Sequence, residues 1–354
     1  MRWLLALLSA IVPALSSIPT ASSEPLDSAI LAIPAEGAVR TLVGDWEAPD
    51  MVVVVYGDGW PETYFALLDA ATAVRPVVVL SELGDGEAAL ASIETLAPEQ
   101  RAQVWAPGYE VDSSWVRDYG PLQARASDGS VAWLDAGYSI DRSRDDDLPL
   151  ALADWFGVVT EPVFDTLDGG SLASNGRGLC VSTVEYFETQ EVYLAEDGGT
   201  ALLQQLGCRV LALVPALAHE GTKHVDLLLQ FLAPDRAVVA RFDPTLDAED
   251  ARRADAAVAV LQRAAAQLGQ PLSIARLESP VAQAGRYASY VNFLQLGDHL
   301  LVPGYDTVDL EVDDAALAAL GRLVPDRTIV RIPADEASAN GGAVHCLTWG
   351  LHTP

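Results

Sequence analysis

Cys346 closes the stretch "NGGAVHC" near the end of the chain, with Gly341 and Gly342 ahead of it. Small residues let a backbone turn tightly and let a ligand come close to it, which suits a reactive thiol at the floor of a pocket. They suit a plain turn into a last strand equally well. In "EGTKHVDLLLQF", His224 and Asp226 stand two apart where a strand is expected to begin. Residues two apart on a strand share a face, so this pair is expected to point into one place. A histidine and a carboxylate held together can serve as an acid/base and as an anchor for a cation. "DSSWVRDYGP" sets Trp115, Arg117 and Asp118 against a Gly-Pro turn, and "LDGGSLASNGRGLC" puts Asp168 beside paired glycines. His345 adjoins Cys346, but neighbours in an extended segment face opposite ways, which leaves His224 as the better partner for the thiol.

The elements that must carry these residues alternate. "MVVVVY" and "PVVVLSEL" read as buried strands, while "ETYFALLDAATAV" and "GEAALASIETLA" repeat apolar residues at helical spacing. The alternation continues through helical "DLPLALADWFGV" and "GTALLQQLG" and extended "CRVLALVP" and "DLLLQFL". The longest helix is expected over "DAEDARRADAAVAVLQRAAAQLG", which opens on acids as the helix dipole prefers. "YVNFLQLG", "HLLVPGY", "DDAALAALGRL" and "TIVRIPA" complete the series, and such alternation predicts an α/β fold. The run "DRSRDDDLP" reads as a solvated loop capping the next helix. No composition break or Gly/Ser linker divides the chain, which argues for one domain.

Charge and cysteines narrow the function. The 354 residues carry 50 acidic and 21 basic side chains, a formal net charge of −29. Such a surface repels nucleic acid and anionic lipid and favours the approach of cations. "MR", the apolar "WLLALLSAIVPAL" and the small, polar "SSIPTASSEP" read as a secretory signal over residues 1–23, leaving a single domain over 24–354 and an exported, secreted or periplasmic product. The apolar run is too short to span a bilayer, so no stable membrane association is expected. An exported chain with Cys180, Cys208 and Cys346 has an odd number of thiols; Cys180 and Cys208 either bridge each other or stay free. Three cysteines without paired ligand spacing do not make a zinc site. Glycine stretches such as "GDGEAALA" lack the lysine and spacing of a phosphate loop.

In this order, "WVRDYGP", "LDGG…NGRG", "HVD", "YVNF…VPGY" and "NGGAVHC" resemble the bacterial peptidylarginine deiminase and agmatine deiminase family of the guanidine-modifying superfamily. The motifs span residues 112–346. The resemblance implies a five-bladed α/β propeller with the active site in its central cavity, and no metal or organic cofactor. It makes Cys346 the nucleophile, His224 the general acid/base, and Asp118 and Asp226 the carboxylates that grip a guanidinium. Asp168 would orient His224, and Asn292 would lie near the site. Trp115 and Arg117 would support Asp118 through packing and ion pairing, while Gly341 and Gly342 would leave room for a flat guanidinium above the thiol.

The chain departs from the pattern twice: Asp168 stands where many relatives have glutamate, and Ala343 where a third glycine is usual, which would narrow the pocket. The implied reaction is hydrolysis of peptidyl- or protein-arginine to citrulline and ammonia through a covalent thiouronium. Agmatine as substrate, giving N-carbamoylputrescine, is the alternative; others are an amidinotransferase and a non-catalytic binder of cationic ligands.

Overall fold

The computed structural model describes residues 29–33, 40–139, 141–189, 196–283 and 285–353. The expected signal over residues 1–23 lies outside them. The described residues form an α/β fold in five separate sheets. One order recurs: a first strand pairs antiparallel with a second, a helical crossover follows, and a third strand pairs parallel with the second. It runs through Leu122–Ala126, Val131–Gly137 and Thr160–Thr166, then through Ala173–Ser174, Leu179–Thr183 and Val210–Val214. It recurs in Leu229–Ala233, Arg236–Arg241 and Ser273–Glu278, and in Leu294–Leu296, His299–Gly304 and Thr328–Pro333. The fifth copy joins the last described strand to one early in the chain. Thr348–Leu351 pairs antiparallel with Met51–Tyr56, which pairs parallel with Val77–Glu82.

The local reasons are visible in the sequence. Val52 to Val55 are buried throughout, as a β-branched strand covered on both faces must be. Helix Ala248–Gln267 starts at Asp247, whose side chain accepts a 3.0 Å hydrogen bond from Asp250 N. Its Ala254, Ala257, Val260, Leu261 and Ala264 are buried, and their small side chains let it lie close on the strands beneath. Among the described residues no helix is long and apolar enough to cross a membrane.

Two expectations change here. "DRSRDDDLP" is not a solvated loop: Ser143–Asp146 forms a helical turn, and Asp145 is fully buried. Its carboxylate accepts from Asp112 N, Ser113 N and Ser113 Oγ at 2.7, 3.1 and 2.8 Å, which satisfies a charge that burial alone would expel. Asp145 thus pins the loop that leads into Asp118. Cys180, in strand Leu179–Thr183, and Cys208, just before Val210–Val214, form a disulfide, which closes the alternative left by the sequence.

Candidate active site

Each recurring unit contributes from the same place, the short irregular segment just before its first strand. Asp118 lies in the single helical turn Val116–Tyr119, ahead of Leu122–Ala126. Asp168 precedes the 3-10 turn Gly169–Ser171 and strand Ala173–Ser174. His224 and Asp226 precede Leu229–Ala233, Asn292 precedes Leu294–Leu296, and Cys346 precedes Thr348–Leu351. Motifs scattered over the chain therefore meet in one cavity of about 230 Å³ lined by Trp115, Asp118, His224, Asp226 and Cys346.

His224 and Asp226 are not on a strand, contrary to the two-residue argument. They sit in a turn that ends where the strand starts at Leu229. Glu220, four residues back, shapes that turn by accepting His224 N at 3.0 Å together with Thr222 N and Thr222 Oγ1 at 2.8 Å. Lys223, the one lysine of the chain, has a left-handed backbone at φ 65°, uncommon for a residue with a side chain. Its ammonium offsets that strain by donating to the Glu220 carbonyl.

Around the ring, His224 Nε2 is 3.0 Å from Asp168 Oδ2 and Nδ1 is 3.5 Å from Asp118 Oδ1. The aspartate at 168 therefore reaches the histidine without the extra methylene of glutamate. Burial pushes the His224 pKa down, but Asp118 and the Asp168 hydrogen bond outweigh it and raise it to about 10. Burial raises Asp118 to about 7, against the pull of His224. The two shifts compete for one proton, and a carboxylate on each ring nitrogen favours keeping it on the ring. Gly170 makes this approach possible, since a Cβ there would lie 2.7 Å from both Asp118 Oδ1 and His224 Nδ1.

The thiol sits on the other wall. Cys346 Sγ is 3.4 Å from Asp226 Oδ2 and accepts from Asn292 Nδ2 at 3.2 Å. Asn292 Oδ1 takes the backbone N–H of His345 at 3.0 Å and of Cys346 at 3.4 Å, which folds residues 344–347 into a turn. Burial, then the charges of Asp226 and Asp118, push the thiol pKa well up. Burial would raise Asp226 too, yet its bond from His345 and the charges of His224 and Arg117 hold it below the usual carboxylate range. Asp226 Oδ1 is buried and has no partner among the described residues. That oxygen is an acceptor waiting for a donor.

Other expected placements need correction. His345 does face away from the cavity that Cys346 lines, but its segment is a turn and not extended, and its Nδ1 lies 2.8 Å from Asp226 Oδ2. Trp115 lines the cavity and packs at a tilt against Trp60, with ring centroids 4.8 Å apart, so it does more than support Asp118. Arg117 makes no ion pair with Asp118 among the described residues. It lies 4.5 Å from the centre of the Trp349 ring and donates from Nε to the His345 carbonyl at 3.2 Å. Ala343 does not narrow the cavity; it is buried in the hydrophobic core. Gly341 lines the cavity with φ 103°, while Gly342 admits Trp115, which a Cβ would meet at 2.5 Å. Arg142 and Tyr138 also line the cavity, 3.2 Å apart, though the acidic run around Arg142 had suggested only solvent.

A thiol, an imidazolium and paired carboxylates facing one cavity can hold a planar cation and attack its central carbon. Fold and sequence together place the protein among the hydrolases that act on amidine C–N bonds. The chain belongs to the Porphyromonas-type peptidyl-arginine deiminase family, whose profile matches residues 45–351. It is 27% identical over 374 residues to an agmatine deiminase of Pseudomonas putida, covering 91% of this chain and 95% of that one. Its fold is similar to that of the agmatine deiminase of Enterococcus faecalis, with a TM-score of 0.76 at 20% identity over 88% of this chain and 96% of that one.

Proposed function

We propose that the protein is an exported deiminase that hydrolyses the guanidinium of peptidyl-arginine to citrulline and ammonia, with Cys346 as nucleophile. The observation that carries this reading is the unpartnered Asp226 Oδ1, buried beside the thiol whose Sγ is 3.4 Å from Oδ2 of the same carboxylate. A guanidinium gripped by Asp226 and Asp118 satisfies that oxygen and offsets the two negative charges that keep the thiol protonated. The thiol then gives its proton to solvent, and the thiolate attacks the guanidinium carbon. His224, charged before substrate arrives, donates its proton to the departing nitrogen, and ammonia leaves a thiouronium on Cys346. Neutral His224 next takes a proton from water, and the hydroxide attacks the thiouronium carbon. Collapse breaks the C–S bond, the hydroxyl proton passes to the thiolate, and the ureido product departs.

Arg142 at the cavity supports arginine in a peptide over agmatine. Its cation repels agmatine's distal ammonium and attracts a backbone carbonyl or a terminal carboxylate. The likeness to an agmatine deiminase favours the second reading, agmatine itself. Export is supported by the signal-like residues 1–23 and by the Cys180–Cys208 disulfide, which persists in oxidising compartments. The five repeated units, the last pairing strand Thr348–Leu351 with Met51–Tyr56, support five blades around a central cavity in one domain over residues 24–354. The test is ammonia release, side by side, from a C-terminal-arginine peptide, an internal-arginine peptide, free arginine and agmatine. Preference for agmatine would overturn the substrate; no release from any would overturn the reading.

A further inference from the structure

Behind the catalytic wall lies a second hollow, of about 80 Å³, lined by Arg117, His345, Asp45, Trp349 and His352 among others. His345 borders this hollow and not the catalytic cavity, and its Nδ1 reaches Asp226 Oδ2, whose residue does line that cavity, at 2.8 Å. Arg117 holds that arrangement twice: its Nε donates to the His345 carbonyl and its backbone N–H to the Cys346 carbonyl, each at 3.2 Å. No carboxylate stands within ion-pair distance of Arg117 among the described residues, so its charge is not spent on a local partner. From this geometry we infer that His345 and Arg117 are positioning residues for Asp226: His345 donates Nδ1–H to Oδ2, Arg117 holds the His345 backbone in place, and Oδ1 is left free for the guanidinium. The inference rests on the proposed deiminase reading.

Electrostatics support the geometry. Facing His345 are Asp226, Arg117 and His224; burial and then Arg117 lower its pKa to about 4, against the pull of Asp226. A neutral ring that donates to a carboxylate carries its proton on Nδ1. Facing Asp226 are His345, His224, Arg117, Asp118, Cys346 and Asp45. Burial opposes its charge, and the His345 bond is the foremost group favouring it. Without that donor the carboxylate gains a proton more readily, and a protonated acid grips a cation poorly. Arg117 is itself lowered to about 10 by burial, and stays charged at neutral pH.

The experiment has two arms. In histidine-¹⁵N-labelled enzyme, with His345→Asn assigning the signal, the ring of His345 should stay neutral with its proton on Nδ1 from about pH 5 to 8. Arg117→Gln should bring its titration into that window. In kinetics, His345→Leu should raise KM about tenfold at pH 7, with a smaller change in kcat, and move the acid limb of kcat/KM upward by about one pH unit. His345→Asn, whose amide nitrogen can stand where Nδ1 stood, should recover most of both losses. A ring that titrates near its ordinary value, or a His345→Leu enzyme with unchanged KM and acid limb, would overturn the inference. Absence of turnover by the wild type on every guanidine would instead count against the deiminase reading, while the ring's charge and tautomer still decide the role of His345.

Discussion

Asp168→Asn removes one charge from the His224 ring while keeping its size and an acceptor oxygen. Asp168 Oδ2 lies 3.0 Å from Nε2, and the two side chains are only 15% and 4% exposed, so solvent screens the contact little. A hydrogen bond to a charged group contributes about 1.5–3 kcal/mol, and about 1.4 kcal/mol moves a pKa by one pH unit. The substitution should therefore bring His224 from about 10 down by about one to two pH units. Departing ammonia needs the charged ring, so the alkaline limb of kcat/KM should move down by the same amount. The loss should be roughly two- to tenfold at pH 9 and slight at pH 7. Stability must follow the same sign. A folded-state pKa raised above the unfolded value of 6.5 contributes stability that is full below about pH 6.5 and lost as pH rises through about 10. Asp168→Asn should flatten that decline. Ammonia release and thermal unfolding from about pH 6 to 10 measure both. An alkaline limb and a pH–stability curve unchanged from wild type would refute the claim that Asp168 holds the ring charged.

Cys346→Ser should fold normally by circular dichroism and release no ammonia, because an alkoxide forms far less readily than a thiolate. A haloacetamidine should label Cys346 alone in mass spectrometry, since Cys180 and Cys208 are bonded to each other. Arg142→Glu should reverse the charge at that point of the cavity lining, improving kcat/KM on agmatine and lowering it on a C-terminal-arginine peptide, each by about tenfold. Replacing Cys180 and Cys208 together by alanine should cost roughly 3 kcal/mol of stability, from releasing a loop of 28 residues in the unfolded chain, and should lower the urea midpoint with little effect on kcat.

The glycines before Cys346, the acid beside Gly169–Gly170 and the His224–Asp226 pair were each legible because their chemistry is local. The strand and helix periods were legible for the same reason: "MVVVVY" and the long alanine-rich helix carry their own pattern of burial. The conformation of the site segments was not. A strand period predicts a shared face for residues 224 and 226 and opposite faces for 345 and 346, but both segments are turns. Glu220 makes the first by taking the backbone N–H four residues on, and Asn292 makes the second across more than fifty residues.

That difference decided His345. By sequence alone it was the neighbour that faces away; in the turn it is the donor on Asp226. Arg117 likewise belongs to Trp349 and the turn that holds Cys346, a pairing across 228 residues that leaves no trace beside it in sequence. Arg142, hidden in an acidic run, lines the cavity, and Asp145 in the same run is buried and pins the loop that leads into Asp118. Residue types and short spacings determined which groups can act on a guanidinium and how the strands and helices alternate. Which oxygen of Asp226 stays free, and which cation stands behind it, was decided only when five separate units brought the ends of their loops together, because those contacts lie between segments that share no local code.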